Sequence, residues 1–322
     1  MTLLLSIIND DYSILISDRR TSSGTKIVDD QYNKMCILCC DDARVSIAFT
    51  GIATSGSFDT SEFLMDTLRE VGEGNDQLLN MIEELRSRIG LELKRRNLSI
   101  HPLTILVSGY RYDSSGAEPC AFRISNVASN GLIEAEFYTT EIAKSHGANI
   151  IEFAGMTPAI PAGTRASLSE IAQSTSDPRP ALRRAVMALQ KSALSKDAMR
   201  TIGQFCNSAI ISKQVDTSIV STFHAPKGAY MISGPNCIIT KGMYSYGVVM
   251  SSQHLMTGPE IRKREICWCG SGKRFKDCHM KKFGSSHALV PTFKRPMTWV
   301  TRIEFESPRL SGKLFQICGA FD

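Results

Sequence analysis

Residues 1–22 read MTLLLSIINDDYSILISDRRTS, with an apolar run of strand length on each side of the turn Asp10-Asp11. This pattern predicts a β-hairpin with strands at about 2–9 and 12–18, which places Thr2 and Asp18 at the same end of a sheet. Removal of Met1 gives Thr2 a hydroxyl group and a free α-amine on one residue. Because an α-amine has a pKa of about 7.7–8.0, it can accept the hydroxyl proton near neutral pH. The sequence therefore raises the possibility of an N-terminal threonine nucleophile.

The next two apolar runs predict a second hairpin. They span about 32–40 and 44–50 and are separated by Asp41-Asp42. Lys34 lies in the first run, where an unpaired lysine is costly to bury. A cation beside a hydroxyl lowers the pKa of that hydroxyl, and a carboxylate can hold the cation in place. We therefore expect Lys34 to pair with Asp18 next to Thr2.

The chain then alternates helix pairs with groups of strands. Apolar residues at helical spacing predict helices from a Ser57 cap to about Glu70 and from about Asp76 to Arg96, with two more at 167–172 and 180–195. Further strands are predicted at about 102–109, 119–127, 131–139, 149–154 and 202–212, with shorter ones in 219–240 and later ones at 297–306 and 314–321. This order predicts an α+β fold in which two sheets pack face to face and helix pairs cover them.

Thr2, Asp18, Arg20 and Lys34, followed by Phe49-Thr50-Gly51, resemble the active-site pattern of proteasome-type β-subunits, which are N-terminal-nucleophile (Ntn) hydrolases. One such residue alone is a weak signal, because a threonine at position 2 is common and strand lysines often lie on the surface. The separations between the first four residues match the family without a gap. The resemblance covers roughly 2–215 and implies a four-layer αββα sandwich.

The resemblance also implies a role for each residue. Thr2 would be the nucleophile with its amine as general base, Lys34 the cation, and Asp18 the group that orients it, with Arg20 in the same catalytic set. The backbone N–H of Gly51 would donate to the oxyanion. The implied substrate-binding residues are Ser22, which would align the substrate backbone, and Thr21, Tyr32, Phe49 and Ala53, which would line a mixed apolar pocket.

Two departures from the family pattern concern the α-amine. The family has a serine in a Gly-Ser-Gly-like turn that helps to hold this amine, whereas this chain reads Ala154-Gly155-Met156-Thr157. It also has a serine three residues after an aspartate, where this chain has Asp197 and, one place late, Thr201. Thr157, Asp197 and Thr201 could take over only if the local turns differ, and an inactive protein with the same fold stays open as an alternative.

A second motif lies near the C-terminus, in Cys267-Trp-Cys269-Gly-Ser-Gly-Lys-Arg-Phe-Lys-Asp-Cys278-His279. Three thiolates and an imidazole form a closed set for tetrahedral, structural Zn²⁺, and the glycines permit the turn between the halves. The motif resembles the SEC-C zinc module of the bacterial SecA motor, which implies docking of protein partners. Eight lysines and arginines within 261–283 also leave nucleic acid or anionic lipid open as partners.

These patterns predict four parts of the chain: an Ntn-hydrolase domain at 2–250, a linker at 251–262, the SEC-C zinc module at 263–283 and a strand-rich extension at 284–322. The first apolar run has neither the length of a membrane span nor the layout of a signal peptide, so we expect a cytoplasmic protein. The predicted function is hydrolysis of amide bonds in peptides or proteins by a homo-oligomer in a ring or stack. The alternatives are an inactive scaffold protein and a small-molecule amidase of the same superfamily.

Overall fold

A computed structural model describes residues 2–24, 26–74, 77–142, 149–198, 200–214 and 219–224 with their side chains. Beyond 224 it describes the strands named below, Arg264 and residues 273–277. The strands are β1 (Leu3–Ile8), β2 (Tyr12–Asp18), β3 (Thr21–Ser23), β4 (Lys26–Asp29), β5 (Met35–Cys40), β6 (Ala43–Gly51), β7 (Thr54–Ser55), β8 (Phe58–Asp59), β9 (Leu103–Asp113), β10 (Gly116–Val127), β11 (Ile133–Glu141), β12 (Ile150–Gly155), β13 (Cys206–Ser212), β14 (Ile219–His224), β15 (Asn236–Ile239), β16 (Tyr244–Ser252), β17 (Trp299–Glu306) and β18 (Ser311–Cys318).

Four α-helices occur in the described part of the chain: α1 (Thr60–Gly74), α2 (Leu78–Arg95), α3 (Thr164–Ser174) and α4 (Pro178–Leu194). The predicted Ser57 cap of α1 is wrong. The carboxylate of Asp59 caps this helix instead, since its Oδ1 accepts a hydrogen bond of 3.0 Å from the backbone N–H of Glu62. The Ser57 hydroxyl accepts from the guanidinium of Arg96 at 2.8 Å.

Most strands belong to two large sheets. The first has eight strands in the order β12-β1-β2-β13-β14-β18-β17-β16, and the second has six in the order β11-β10-β9-β6-β5-β15. Both predicted hairpins are present, as the antiparallel pairs β1–β2 and β5–β6. Two short hairpins, β3–β4 and β7–β8, add two-stranded sheets that the sequence pattern did not predict.

Alternate residues of each central strand enter different parts of the core. Along β1, Leu3, Leu5 and Ile7 join a cluster with residues of α3 and α4. Leu4 points the other way and joins a cluster that contains residues of β6 and β9 from the second sheet. A third cluster joins the second sheet to α1 and α2. Each fully buried leucine or isoleucine contributes about 1.5–3 kcal/mol, so these clusters fix which face of each strand is which.

Three element boundaries differ from the sequence pattern. β5 begins at Met35 rather than Tyr32, because the Asn33 side chain accepts a hydrogen bond from the Met35 N–H at 3.2 Å and forms a turn there. β13 begins at Cys206 rather than Ile202, which leaves a loop at 202–205. β16 extends to Ser252, so the first two residues of the predicted linker belong to a strand.

The last two strands are part of the first sheet. β18 lies parallel to β14 and antiparallel to β17, and β17 pairs with β16 so that Ser252 lies opposite Trp299. Because β13 starts opposite Asp18 and β14, β18 and β16 all end on that side, the chain leaves β16 and returns to β17 at the sheet end that holds Asp18. The residues between Ser252 and Trp299 are thus an insertion within one hairpin.

No helix in the described part of the chain combines the length and apolar character needed to cross a membrane.

Candidate active site

Thr2 and Asp18 meet at one end of the first sheet. The antiparallel register of β1 and β2 pairs Leu4 with Ser17, so the residue before β1 and the last residue of β2 are neighbours. Only 2% of Thr2 is exposed, and Asp18 is fully buried. The hairpin thus produces the juxtaposition that its sequence predicts.

The Asp18 carboxylate is held by backbone N–H groups from three segments. Its Oδ1 accepts from Leu3 at 3.0 Å, and its Oδ2 accepts from Arg20 at 3.0 Å and Gly203 at 2.9 Å. A Cβ atom on Gly203 would lie 2.8 Å from the Arg20 Cβ, so this loop approaches closely because it carries a glycine. These bonds stabilise a buried carboxylate and fix its direction.

Lys34 joins this carboxylate to the Thr2 hydroxyl. Its Nζ donates to Thr2 Oγ1 and to the backbone carbonyl of Arg20, and it lies 3.6 Å from Asp18 Oδ1. An ammonium group has three donors, and each has a partner here. The backbone of Lys34 is held as well, because its carbonyl accepts from the Phe49 N–H at 3.2 Å. Lys34 is therefore directed at the candidate nucleophile.

The surroundings of Lys34 lower its pKa below the usual 10.5. Burial is the main cause, and the nearby charges of Arg19 and Arg20 act in the same direction, whereas Asp18 opposes the shift. Lys34 consequently holds its proton less firmly than a lysine in water does. Such a perturbed lysine next to a hydroxyl is typical of functional sites.

The Thr2 backbone has partners that the sequence did not indicate. Its nitrogen, an amide that becomes the α-amine when Met1 is removed, donates to Thr50 Oγ1 at 3.2 Å. Its carbonyl oxygen accepts from the Thr50 hydroxyl at 3.1 Å and from the Met156 N–H at 3.0 Å. Thr50 was visible in the sequence only as part of Phe49-Thr50-Gly51 at a strand end, and only the packing of the two sheets shows its partner.

Thr157, Asp197 and Thr201, the possible holders of the α-amine, are engaged elsewhere or exposed. Thr157 is exposed in a short 3₁₀ helix. Asp197 forms hydrogen bonds with Ser195. The Thr201 hydroxyl donates to the Ala198 carbonyl at 2.7 Å. The structure thus brings none of the three predicted groups to the Thr2 nitrogen.

The Arg20 guanidinium faces away from Thr2. It forms an ion pair with Asp30 and donates to the carbonyl of Ile202 at 3.2 Å. Its backbone is what reaches the site, because the Arg20 N–H contacts Asp18 and the Arg20 carbonyl accepts from Lys34. Arg20 is therefore placed to hold the backbone around Lys34.

Gly51 directly follows Thr50 at the end of β6. It has a φ of +115°, and a Cβ atom there would lie 1.9 Å from the carbonyl oxygen of Pro102, so only glycine fits. The use of its N–H as an oxyanion donor stays a prediction.

Three of the predicted substrate-binding residues lie together. The rings of Tyr32 and Phe49 pack edge to face with their centroids 6.3 Å apart, and the Tyr32 hydroxyl contacts the Ala53 carbonyl at 3.3 Å. Phe49 lines a narrow pocket beside Lys34, together with apolar residues of β5, β6 and α1. The Tyr32 hydroxyl also donates to Asp59 at 2.7 Å, and burial and this bond raise its pKa, so it remains neutral.

The other two predicted binding residues lie on the β3–β4 hairpin. Thr21 is buried, and its hydroxyl contacts the Asp29 carbonyl at 3.5 Å. Ser22 is half-buried and pairs with Ile27. Their contact with a substrate stays a prediction.

The predicted zinc ligands Cys267, Cys269, Cys278 and His279 lie outside the described residues. Within the described part, no group of three or more histidine, cysteine or acidic side chains is arranged to bind a metal ion. Three thiols and an imidazole suit Zn²⁺ by their donor chemistry.

Comparisons with known proteins add a family match for the C-terminal motif. Residues 264–281 match the model of the SEC-C motif. Two solved structures are similar to this chain at low identity. One is Anbu (ancestral beta-subunit) from Yersinia bercovieri, with 15% identity, a TM-score of 0.44 and coverage of 65% of this chain and 82% of that one. The other is an Anbu mutant from Hyphomicrobium sp. strain MC1, with 13% identity, a TM-score of 0.45 and coverage of 66% and 82%. A comparison with curated proteins gives no match. The chain therefore contains a SEC-C motif beside a mixed α/β fold.

Proposed function

We propose that this chain is a threonine-type Ntn hydrolase that cleaves amide bonds in peptides or proteins through Thr2, after removal of Met1. The observation that carries the proposal is the contact between Lys34 Nζ and Thr2 Oγ1, with Asp18 behind the lysine at 3.6 Å. A cation at this place stabilises the alkoxide form of the threonine, and thus makes the hydroxyl a better nucleophile. The three core clusters support a four-layer αββα sandwich as the scaffold.

In the proposed reaction, Thr2 Oγ forms a bond to the carbonyl carbon of the substrate amide. Its proton passes to the Thr2 α-amine, and the negative charge on the carbonyl oxygen is stabilised by the Gly51 N–H. The C–N bond then breaks, and the amine returns the proton to the leaving nitrogen. Water attacks the resulting ester with the amine as general base, which releases the acid and restores Thr2.

Hydrolysis of fluorogenic peptides tests this function. Thr2→Ala removes the hydroxyl but keeps a small residue behind Met1, so we expect the rate to fall to background while the fold is retained. Thr139→Ala is the matched control, because Thr139 is an exposed threonine on β11. Equal activity of the wild type and Thr2→Ala would refute the assignment.

Two alternatives each have one supporting observation. Met156, which replaces the family's serine, is buried in the core, and this favours an inactive scaffold protein. The narrowness of the pocket beside Lys34 favours a small-molecule amidase. Activity on short peptides excludes the first alternative, and activity on acylated small amines without activity on peptides supports the second.

For the C-terminal motif we propose a structural Zn²⁺ bound by Cys267, Cys269, Cys278 and His279, in a module that docks protein partners. The motif lies within the insertion between Ser252 and Trp299, and we propose that the flanking 284–322 extension completes the hydrolase domain. Both ends of the insertion lie at the sheet end that holds Asp18, five strands away, or roughly 24 Å at about 4.8 Å per strand. A partner docked there would be held on the side of the candidate nucleophile.

We also propose that the protein is a homo-oligomer. Large apolar side chains are exposed on two helices, among them Leu91 on α2 and Leu194 on α4, which are 66% and 74% exposed. Such residues often mark contacts between protein surfaces when they cluster. Sedimentation analysis tests the oligomeric state, and a monomer at micromolar concentration would contradict a closed ring.

A further inference from the structure

We propose that Thr50 is a positioning residue for the Thr2 nitrogen, supplying from the second sheet the hydroxyl acceptor that orients the general base. The inference rests on the proposed function, because it assigns a role within the same reaction. Thr50 is 96% buried, with 4% of its surface exposed, and it lies at the end of β6.

The two hydrogen bonds of Thr50 determine which group donates. A hydroxyl has one proton and two lone pairs. The carbonyl oxygen of Thr2 can only accept, so the contact of 3.1 Å uses the Thr50 proton. Thr50 Oγ1 is therefore the acceptor in its 3.2 Å contact with the Thr2 nitrogen. The pair of bonds fixes both ends of the Thr2 backbone against one side chain.

Gly155 makes the approach of Thr50 possible. A Cβ atom at Gly155 would lie 2.7 Å from Thr50 Oγ1 and 1.8 Å from the Thr2 carbonyl oxygen. Its φ of +91° also requires glycine. The next residue, Met156, donates its N–H to the Thr2 carbonyl at 3.0 Å. The turn that lacks the family's serine thus contacts Thr2 through its backbone and leaves room for the Thr50 hydroxyl.

The chemical consequence concerns the lone pair of the α-amine. When one N–H of the amine is held by Thr50, its lone pair can be directed at Thr2 Oγ, and orientation of this kind is a large part of general-base catalysis. An acceptor also stabilises the ammonium form more than the neutral amine. Removal of the Thr50 hydroxyl is therefore expected to slow the reaction and to move the acid limb of the rate profile to lower pH.

The experiment measures kcat, KM and the pH dependence of kcat for four variants with a fluorogenic peptide. Thr50→Ser and Thr50→Ala lose the same methyl group and differ only in the hydroxyl, and Thr50→Val keeps the shape without the hydroxyl. Thr104→Val is the matched control, because Thr104 lies opposite Thr50 on β9 and its hydroxyl contacts Ser125 at 2.8 Å. Thermal unfolding of each variant separates loss of fold from loss of orientation.

We expect Thr50→Ala and Thr50→Val to lose about tenfold or more in kcat with little change in KM, and Thr50→Ser and Thr104→Val to stay within about threefold of the wild type. The acid limb moves to lower pH only in the two variants without the hydroxyl. If the wild type is active and Thr50→Ala matches Thr50→Ser in both kcat and pH profile, the positioning role is overturned and the proposed function stands. If the wild type itself does not hydrolyse the peptide, both the proposed function and the role of Thr50 are overturned.

Discussion

Replacement of Lys34 by methionine tests whether the buried ion pair exists as described. Methionine has a similar length and fits an apolar site, so Lys34→Met removes the charge with little change in packing. The side chains of Lys34 and Asp18 are 1% and 0% exposed. The substitution therefore leaves a carboxylate buried without its cation.

The expected size of the effect follows from the distance and the remaining partners. At 3.6 Å, two unit charges attract by about 5 kcal/mol with an effective dielectric constant of about 20. Removal of one partner of a buried pair costs about 3–5 kcal/mol in general. Because Asp18 retains hydrogen bonds from the N–H groups of Leu3, Arg20 and Gly203, we expect the lower part of this range, about 3 kcal/mol.

Urea unfolding followed by circular dichroism and tryptophan-independent tyrosine fluorescence measures the loss. Lys26→Met is the matched control, since Lys26 is an exposed lysine on β4, and we expect it to change stability by less than about 0.5 kcal/mol. The double variant Lys34→Met/Asp18→Asn is expected to recover part of the loss, because the unpaired charge is gone. If Lys34→Met is as stable as Lys26→Met, the buried pair is refuted.

Three further perturbations test other parts of the structure. Gly155→Ala is expected to reduce both stability and peptide hydrolysis, because its Cβ would meet the Thr2 carbonyl, whereas Gly163→Ala, with a φ of +75° and no atom within 4 Å of its Cβ, should cost only about 1–2 kcal/mol and leave hydrolysis intact; equal losses would contradict the collision. Burial lowers the pKa of His224 from 6.5 to about 4, so stability is complete above pH 6.5 and up to about 3 kcal/mol is lost as the pH falls to 4; acid titration should show a lower unfolding midpoint in His224→Gln, and an unchanged midpoint contradicts this. Cys267→Ser or Cys278→Ser should release about one zinc ion per chain and weaken capture of partners in a pull-down, while hydrolysis of short peptides persists; a zinc-free wild type by metal analysis overturns the module.

Much of the fold could be predicted because the signals are local. The apolar runs separated by Asp10-Asp11 and by Asp41-Asp42 predict the β1–β2 and β5–β6 hairpins, and a hairpin fixes which residues share a sheet end. The meeting of Thr2 with Asp18 follows directly from this. The contact of Lys34 with both follows less directly, from the high cost of burying an unpaired lysine.

The remaining features depend on contacts between distant parts of the chain. Thr50 reaches Thr2 only because two sheets pack face to face, and Gly203 reaches Asp18 from a loop 185 residues away along the chain. The parallel pairing of β18 with β14 likewise has no local signal, so the sequence suggested a separate extension after the zinc motif. Periodicity shows which face of a strand is buried but not which element covers it.

The most direct test of the central claim is mass spectrometry of the protein after reaction with a β-lactone that acylates threonine hydroxyls. Our account predicts a chain that lacks Met1 and carries a single adduct, which peptide mapping assigns to Thr2 and which is absent from Thr2→Ala and strongly reduced in Lys34→Met. A chain that retains Met1, or an adduct that is absent or located on another residue, would contradict the assignment of Thr2 as the nucleophile.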